Sequence, residues 1–425
     1  MVARVACMKY FRPLLVCLLL YNTPFTASAY GVLTHEAVID ACWNSIIVPL
    51  LKEKYPHASA DEIKEAHAYA YGGAVAPDMG YYPFGSKVFT NLVHYVRSGD
   101  MVAALLKDAD NINEYAFALG FLSHYEGDNY GHSIGTNRSV PLTYRKMMEK
   151  YGRVVTYAEN KISHMRMEYG FDVLEVAKGN YASQTYQDFI GFKVDTTVLS
   201  KAFTETYGLN INDVFKGHFT RAVETFRWVV SRIFPVITRA AWSAKKNAIR
   251  KQYATATSKS FRFKMKQREF DKQYGKNYEH PGLSAKLLSL LIRILPKIGP
   301  LRALRFKVPT PESEEYFARS FDTVIHYYSI NLKKLPGSEL SLRDKDFDTG
   351  KPTTDCEYSL ADETYCDWII ALDHNKFANV DAAMKQNIIM YFTIENPYRP
   401  PSNSARCARF FSACSDIVSF QPKPK

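Results

Sequence analysis

The stretch Phe117-Ala118-Leu119-Gly120-Phe121-Leu122-Ser123-His124-Tyr125-Glu126-Gly127-Asp128-Asn129-Tyr130-Gly131-His132 decides how the chain folds and where its chemistry sits. Phe117, Leu119, Phe121 and Leu122 place it in a long buried helix predicted over Ile112 to Gly131. His124, Asp128 and His132 follow one another at i, i+4 and i+8, so their side chains share one helix face, a turn apart. One isolated His-x-x-x-Asp is more often a solvated surface pair. A buried helix does not carry three such groups on one face without partners. His164 and Glu168 repeat the i, i+4 spacing on another predicted helix. Imidazole and carboxylate are the nitrogen and oxygen ligands that zinc accepts at hydrolytic sites.

Outward from this stretch, strand signals are sparse and helix signals frequent. Val38, Ile39, Cys42, Trp43, Ile46, Ile47 and Leu50 recur at helical spacing. Ser59 with Glu62 forms a capping-box pattern, and the helix it opens is predicted to stop at Gly72-Gly73. Asp100 is the expected cap of a helix around Ala103 to Lys107, and Thr156 with Glu159 the expected box opening a helix through Glu168. Helical patterns continue from Phe203 to Gln252 and from Pro311 to Leu335. The fold class is therefore all-α. The expected divisions are a signal segment 1–29, a catalytic region 30–192, a helical extension 193–345 and a cysteine-containing tail 346–425.

The chain is 425 residues long, 47% hydrophobic and 14% aromatic, enough for a real core, which excludes a disordered chain. Arg4, Lys9 and Arg12, then Leu14 to Leu20, then Ala27-Ser28-Ala29 read as the three parts of a secretory signal. The mature chain is expected to start at Tyr30 and to be exported: periplasmic, secreted or on the cell surface. The formal charge of +11 suits anionic partners, although an ordinary basic surface would give the same value. From Lys245 to Lys276, eleven basic residues face only Glu269 and Asp271, and Leu283 to Leu295 is strongly apolar. Together, 245–307 is a candidate for peripheral contact with a membrane surface; a solvated basic helix and a core helix with basic flanks are the plain alternatives. Cys42 falls on an apolar helix face and reads as a buried thiol. Cys356, Cys366, Cys407 and Cys414 could form two disulfides in an oxidising compartment, with connectivity open.

His35, six residues into the expected mature chain, Asp78 after Pro77, and His94 in Val93-His94-Tyr95 complete a set that resembles the zinc-dependent phospholipase C and single-strand-nuclease superfamily. Tyr30-Gly31-Val32-Leu33-Thr34-His35 is similar to that family's mature N-terminus, where an aromatic residue, usually Trp, binds zinc through its backbone. The resemblance implies an all-helical catalytic domain with three zinc ions. One would be held by Asp78, His94, His124 and Asp128. A second would be held by His132, His164 and Glu168. The third would be held by the Tyr30 backbone and His35, with Asp128 bridging. It also implies Asp78 as general base.

His132 follows Asp128 by four residues, where the bacterial phospholipases and nucleases have six; the shorter form resembles the glycosylphosphatidylinositol-specific phospholipase D branch. Glu168 stands where the nucleases usually have Asp, which favours a phospholipid over a nucleic acid substrate. The resemblance extends from Tyr30 to about Tyr181. It implies a phosphodiester hydrolase of the phospholipase C type. The alternatives are a single-strand nuclease and a non-catalytic zinc-binding surface protein on the same fold.

Overall fold

The computed structural model describes residues 30–181, 190–256, 305–337, 340–392 and 404–422. The expected signal segment, Leu283 to Leu295 and most of the basic run lie outside the described residues; of 245–307 only 245–256 and 305–307 fall within them. The fold is all-α. Among the described residues the one β-type pairing is an isolated antiparallel bridge between Lys345 and Pro352. No described helix is long and apolar enough to cross a membrane.

The helices that frame the site are α1 (Val32–Cys42), α2 (Ala60–Val75), α3 (Lys87–Tyr95), α4 (Ser98–Asp108) and α5 (Ile112–Tyr130). They are followed by α6 (Asn137–Thr143), α7 (Lys161–Lys178) and, much later in the chain, α8 (Pro311–Lys334) and α9 (Ser359–His374). The α5 helix is buried from Glu114 to Asn129. Burying side chains such as Phe117, Phe121 and Leu122 contributes about 1.5–3 kcal/mol each. A π-helical turn, Gly131–Thr136, leads from α5 into α6.

The expected stop at Gly72-Gly73 is not where α2 ends; the helix runs through to Val75. The glycines serve packing instead. A Cβ on Gly73 would collide with the Phe117 carbonyl oxygen, so the absence of a side chain lets α2 approach the backbone of α5. The Ser59–Glu62 capping box forms as expected. Asp100 lies inside the first turn of α4 and pairs with Arg97. The free amides of that turn, Gly99 N and Asp100 N, donate instead to Asp344 Oδ1 at 3.0 and 3.3 Å. Glu159 does bond Thr156 N at 2.7 Å, but this closes a turn; Asn160 caps α7, which extends to Lys178.

Residues beyond 192 are built into the same frame. The α8 helix packs on α5, the π turn, α6 and α1. Tyr328 OH donates to Leu119 O at 2.9 Å, and the Tyr30 hydroxyl lies 2.7 Å from Ser320 Oγ. The segment 340–358 folds back along α3 and α4: Ser98 Oγ donates to Lys345 O, and Phe347 N to His94 O at 3.1 Å. Cys42 is buried, with Sγ 3.7 Å from Ser329 Oγ, and Cys356, Cys366, Cys407 and Cys414 are thiols.

Candidate metal centre

Each candidate ligand is placed by a short local device. Gly31, before α1, offers no side-chain cap, and the first turn is capped from α7 instead. Asp172 accepts Leu33 N at 3.2 Å, Thr34 N at 3.1 Å and Thr34 Oγ1 at 2.7 Å, which sets the start of the helix that carries His35. Asp78 sits in a short 3-10 helix, Ala76–Tyr81. Thr90 clamps that helix to α3, donating to Pro77 O and accepting from Gly80 N, both at 2.8 Å. Four residues later, His94 Nδ1 lies 2.8 Å from Thr90 O, and His124 Nδ1 lies 2.8 Å from Ala74 O. With Nδ1 held by a carbonyl, each ring turns its Nε2 into the cluster.

Those Nε2 atoms converge on Asp128. Asp128 Oδ2 lies 3.1 Å from His124 Nε2, 3.4 Å from His94 Nε2 and 3.9 Å from His132 Nε2; Oδ1 lies 3.4 Å from His35 Nε2. Asp78 Oδ1 is 3.4 Å from His94 Nε2. The His35 and His124 rings stack with centroids 4.3 Å apart, and those of His132 and His164 at 4.8 Å. His164 Nδ1 is 2.7 Å from Glu168 Oε1, and its Nε2 is 2.7 Å from Asn137 Oδ1.

Three sets of ligand atoms each fall within 4.8 Å: His35, His124 and Asp128; Asp78, His94 and His124; and His132, His164 and Glu168. The fold thus brings together all eight side chains singled out in the sequence. Tyr30 is buried beside them, its ring 5.8 Å from that of His35.

The electrostatics follow from burial. Burial lowers the pKa of His35 and His164, and brings His132 down to about 3. Burial also opposes charge on His94, but the Asp128 and Asp78 carboxylates outweigh it and raise His94 to about 10. Burial works against the Asp128 carboxylate too, yet His124, His35 and His94 hold it well below the usual range. Burial and the neighbouring carboxylates push Glu168 well above it.

Residues 25–217 match the model of a family described as zinc-dependent phospholipase C. This stretch belongs to that family. No curated protein and no solved structure matches the chain. The match of residues 25–217 to a zinc-dependent family is compatible with zinc at the cluster, and the donor set fits it. Both ring nitrogens of His35 and His132, Nε2 of His124, Oδ1 of Asp78 and Oε2 of Glu168 are buried without a hydrogen bond. Polar atoms left so are costly unless something binds them, and nitrogen and oxygen donors in this number suit zinc.

Three further residues support the cluster and carried no reading in the sequence. Asp172 continues the His164, Glu168 spacing by another four residues on α7, a signal that was there to follow. Asn137 and Asp348 gave no local signal. Asp348 Oδ1 lies 3.4 Å from His132 Nδ1, and Asn137 Nδ2 donates to Asp348 O at 2.7 Å.

Proposed function

We propose that the chain is an exported phosphodiester hydrolase of the phospholipase C type that works through three zinc ions and acts on phospholipid or phosphatidylinositol-type headgroups. The observation that carries this reading is the convergence of four buried imidazoles on the single carboxylate of Asp128, within 3.1 to 3.9 Å. Asp78, His94, His124 and Asp128 are assigned to one ion, and His132, His164 and Glu168 to another. His35 and the Tyr30 backbone are assigned to the third, with Asp128 shared.

Zinc, when bound, would neutralise phosphoryl oxygens and make water acidic enough to supply a nucleophile at neutral pH. The residues do the rest. Thr90 and Ala74 carbonyls hold His94 and His124 with Nε2 inward. Asp78 Oδ1, which has no hydrogen bond, is the oxygen assigned to take a proton as general base. Tyr81 and Tyr157, whose rings lie 6.4 Å apart, stand beside His94 and His164.

Asp172 and the Tyr30–Ser320 contact moor the start of α1. Under this proposal, removal of the signal frees the Tyr30 amine to bind metal, so the precursor is inactive. A chain keeping one extra residue before Tyr30 should lose zinc and turnover; full activity there would refute this.

The decisive experiment is zinc quantitation on protein beginning at Tyr30, with turnover of a generic phosphodiester, phospholipid vesicles and single-stranded DNA, and Asp78→Asn as control. Zinc with lipid turnover supports the proposal. Zinc with DNA turnover makes the chain a nuclease, and zinc without turnover makes it a binding protein.

A further inference from the structure

A metal-binding imidazole coordinates through one nitrogen and is oriented by whatever its other nitrogen donates to. For His94 and His124 that partner is a backbone carbonyl. His132 has no such carbonyl: its Nδ1 makes no hydrogen bond, and Asp348 Oδ1 faces it at 3.4 Å. Asp348 lies beyond the family-matched stretch, which ends at residue 217.

The placement of Asp348 is fixed from every side. Its carboxylate is buried, and Oδ2 accepts from Tyr95 OH at 2.8 Å and from Tyr358 OH. Phe347 N is tied to His94 O, and the Phe347 ring packs on His94 and His124, with centroids 5.1 and 5.8 Å away. Gly350, at φ +70°, closes the turn where a Cβ would strike the Asn129 carbonyl oxygen. Asn137 joins the Asp348 backbone to the second imidazole of the same group, since its Nδ2 donates to Asp348 O and its Oδ1 lies 2.7 Å from His164 Nε2. The metal-compatible sets of donor atoms do not include Asp348.

We infer that Asp348 is a positioning residue for the zinc held by His132, His164 and Glu168, orienting His132 through its carboxylate and His164 through Asn137. The inference rests on the zinc reading above, and the test separates the two. Wild type, Asp348→Ala and Asp348→Asn, each as the full chain from Tyr30, are titrated with a zinc chelator and followed by metal analysis. Cobalt-substituted forms are compared by visible absorption, and metal-free forms by thermal unfolding.

Asp348→Ala is expected to release one zinc about 10–100-fold more readily, with the remaining zinc held as in wild type and the cobalt band of one site changed. Asp348→Asn, whose amide oxygen can still face His132 Nδ1, should fall between, and it carries the test if the alanine variant does not fold. Release curves equal to wild type overturn the inference. So does loss of all zinc together with a collapse of metal-free stability, because that marks Asp348 as an anchor of the segment only. A wild type that binds no zinc instead overturns the zinc reading itself.

Discussion

The Asp128-centred group and the His132–His164–Glu168 group share the α5 helix and its π turn, but they are held differently. Around Asp128, the second nitrogens of His94 and His124 rest on main-chain carbonyls from α3 and α2, a turn or a helix away. Around Glu168, the supports are side chains, Asn137 and Asp348, and one of them comes from the last fifth of the chain. A main-chain support comes with the helix itself. A side-chain support depends on the docking of a distant segment, so the second group should be the more easily perturbed without unfolding the protein.

The largest effect should come from Asp128→Ala, which erases the contrast. One carboxylate serves four imidazoles, so both groups should lose zinc, and phosphodiester turnover should fall by about 10³-fold or more, as residues acting as a unit fail together. Metal analysis and turnover on the same preparation check this. Glu168→Gln should instead split the groups. One zinc is expected to go while the rest stay, with a loss of affinity beyond the ~10–100-fold typical of an outer support.

Gly73→Ala attacks the main-chain support. The added Cβ pushes α2 from α5 and draws Ala74 O away from His124, so urea unfolding should show a loss of about 3 kcal/mol. The Asp128 group should then release zinc first, and retention there as in wild type would count against main-chain support.

Asp172 tests the mooring of α1 by pH. Burial raises its carboxyl to about 7, against the hydrogen bonds from Thr34 and Leu33. An acid whose folded pKa exceeds its unfolded value of about 3.9 contributes stability that is full below that value and is lost as pH rises through the folded pKa. Metal-free wild type should therefore lose more thermal stability between pH 5 and pH 8 than Asp172→Asn does; equal losses would remove Asp172 as the cause. The smallest effect is expected from Ser59→Ala, which breaks the α2 capping box for about 1 kcal/mol and leaves both groups' zinc untouched.

The sequence made the clustered side chains legible because their spacing is local. His124, Asp128 and His132, like His164 and Glu168, are one-turn neighbours, and a buried helix gives such residues few reasons to exist. The all-α class followed from periodicity for the same reason. What failed was whatever depends on a partner elsewhere in the chain. Gly72-Gly73 read as a stop because glycine ends helices, whereas here its missing side chain admits a second helix. Asp100 read as a cap, but Asp344 holds those amides. Asp344, Asp346 and Asp348 alternate along one segment and divide three tasks: a helix cap, a local turn with Thr349, and the approach to His132. No local pattern distinguishes them.

The segment carrying Asp348 also imposes an order of events during synthesis. A ribosome delivers the chain N-terminus first, so every expected zinc ligand emerges before the carboxylate that faces His132. The contact between Asp348 and His132 therefore becomes possible only long after the candidate ligands have been made.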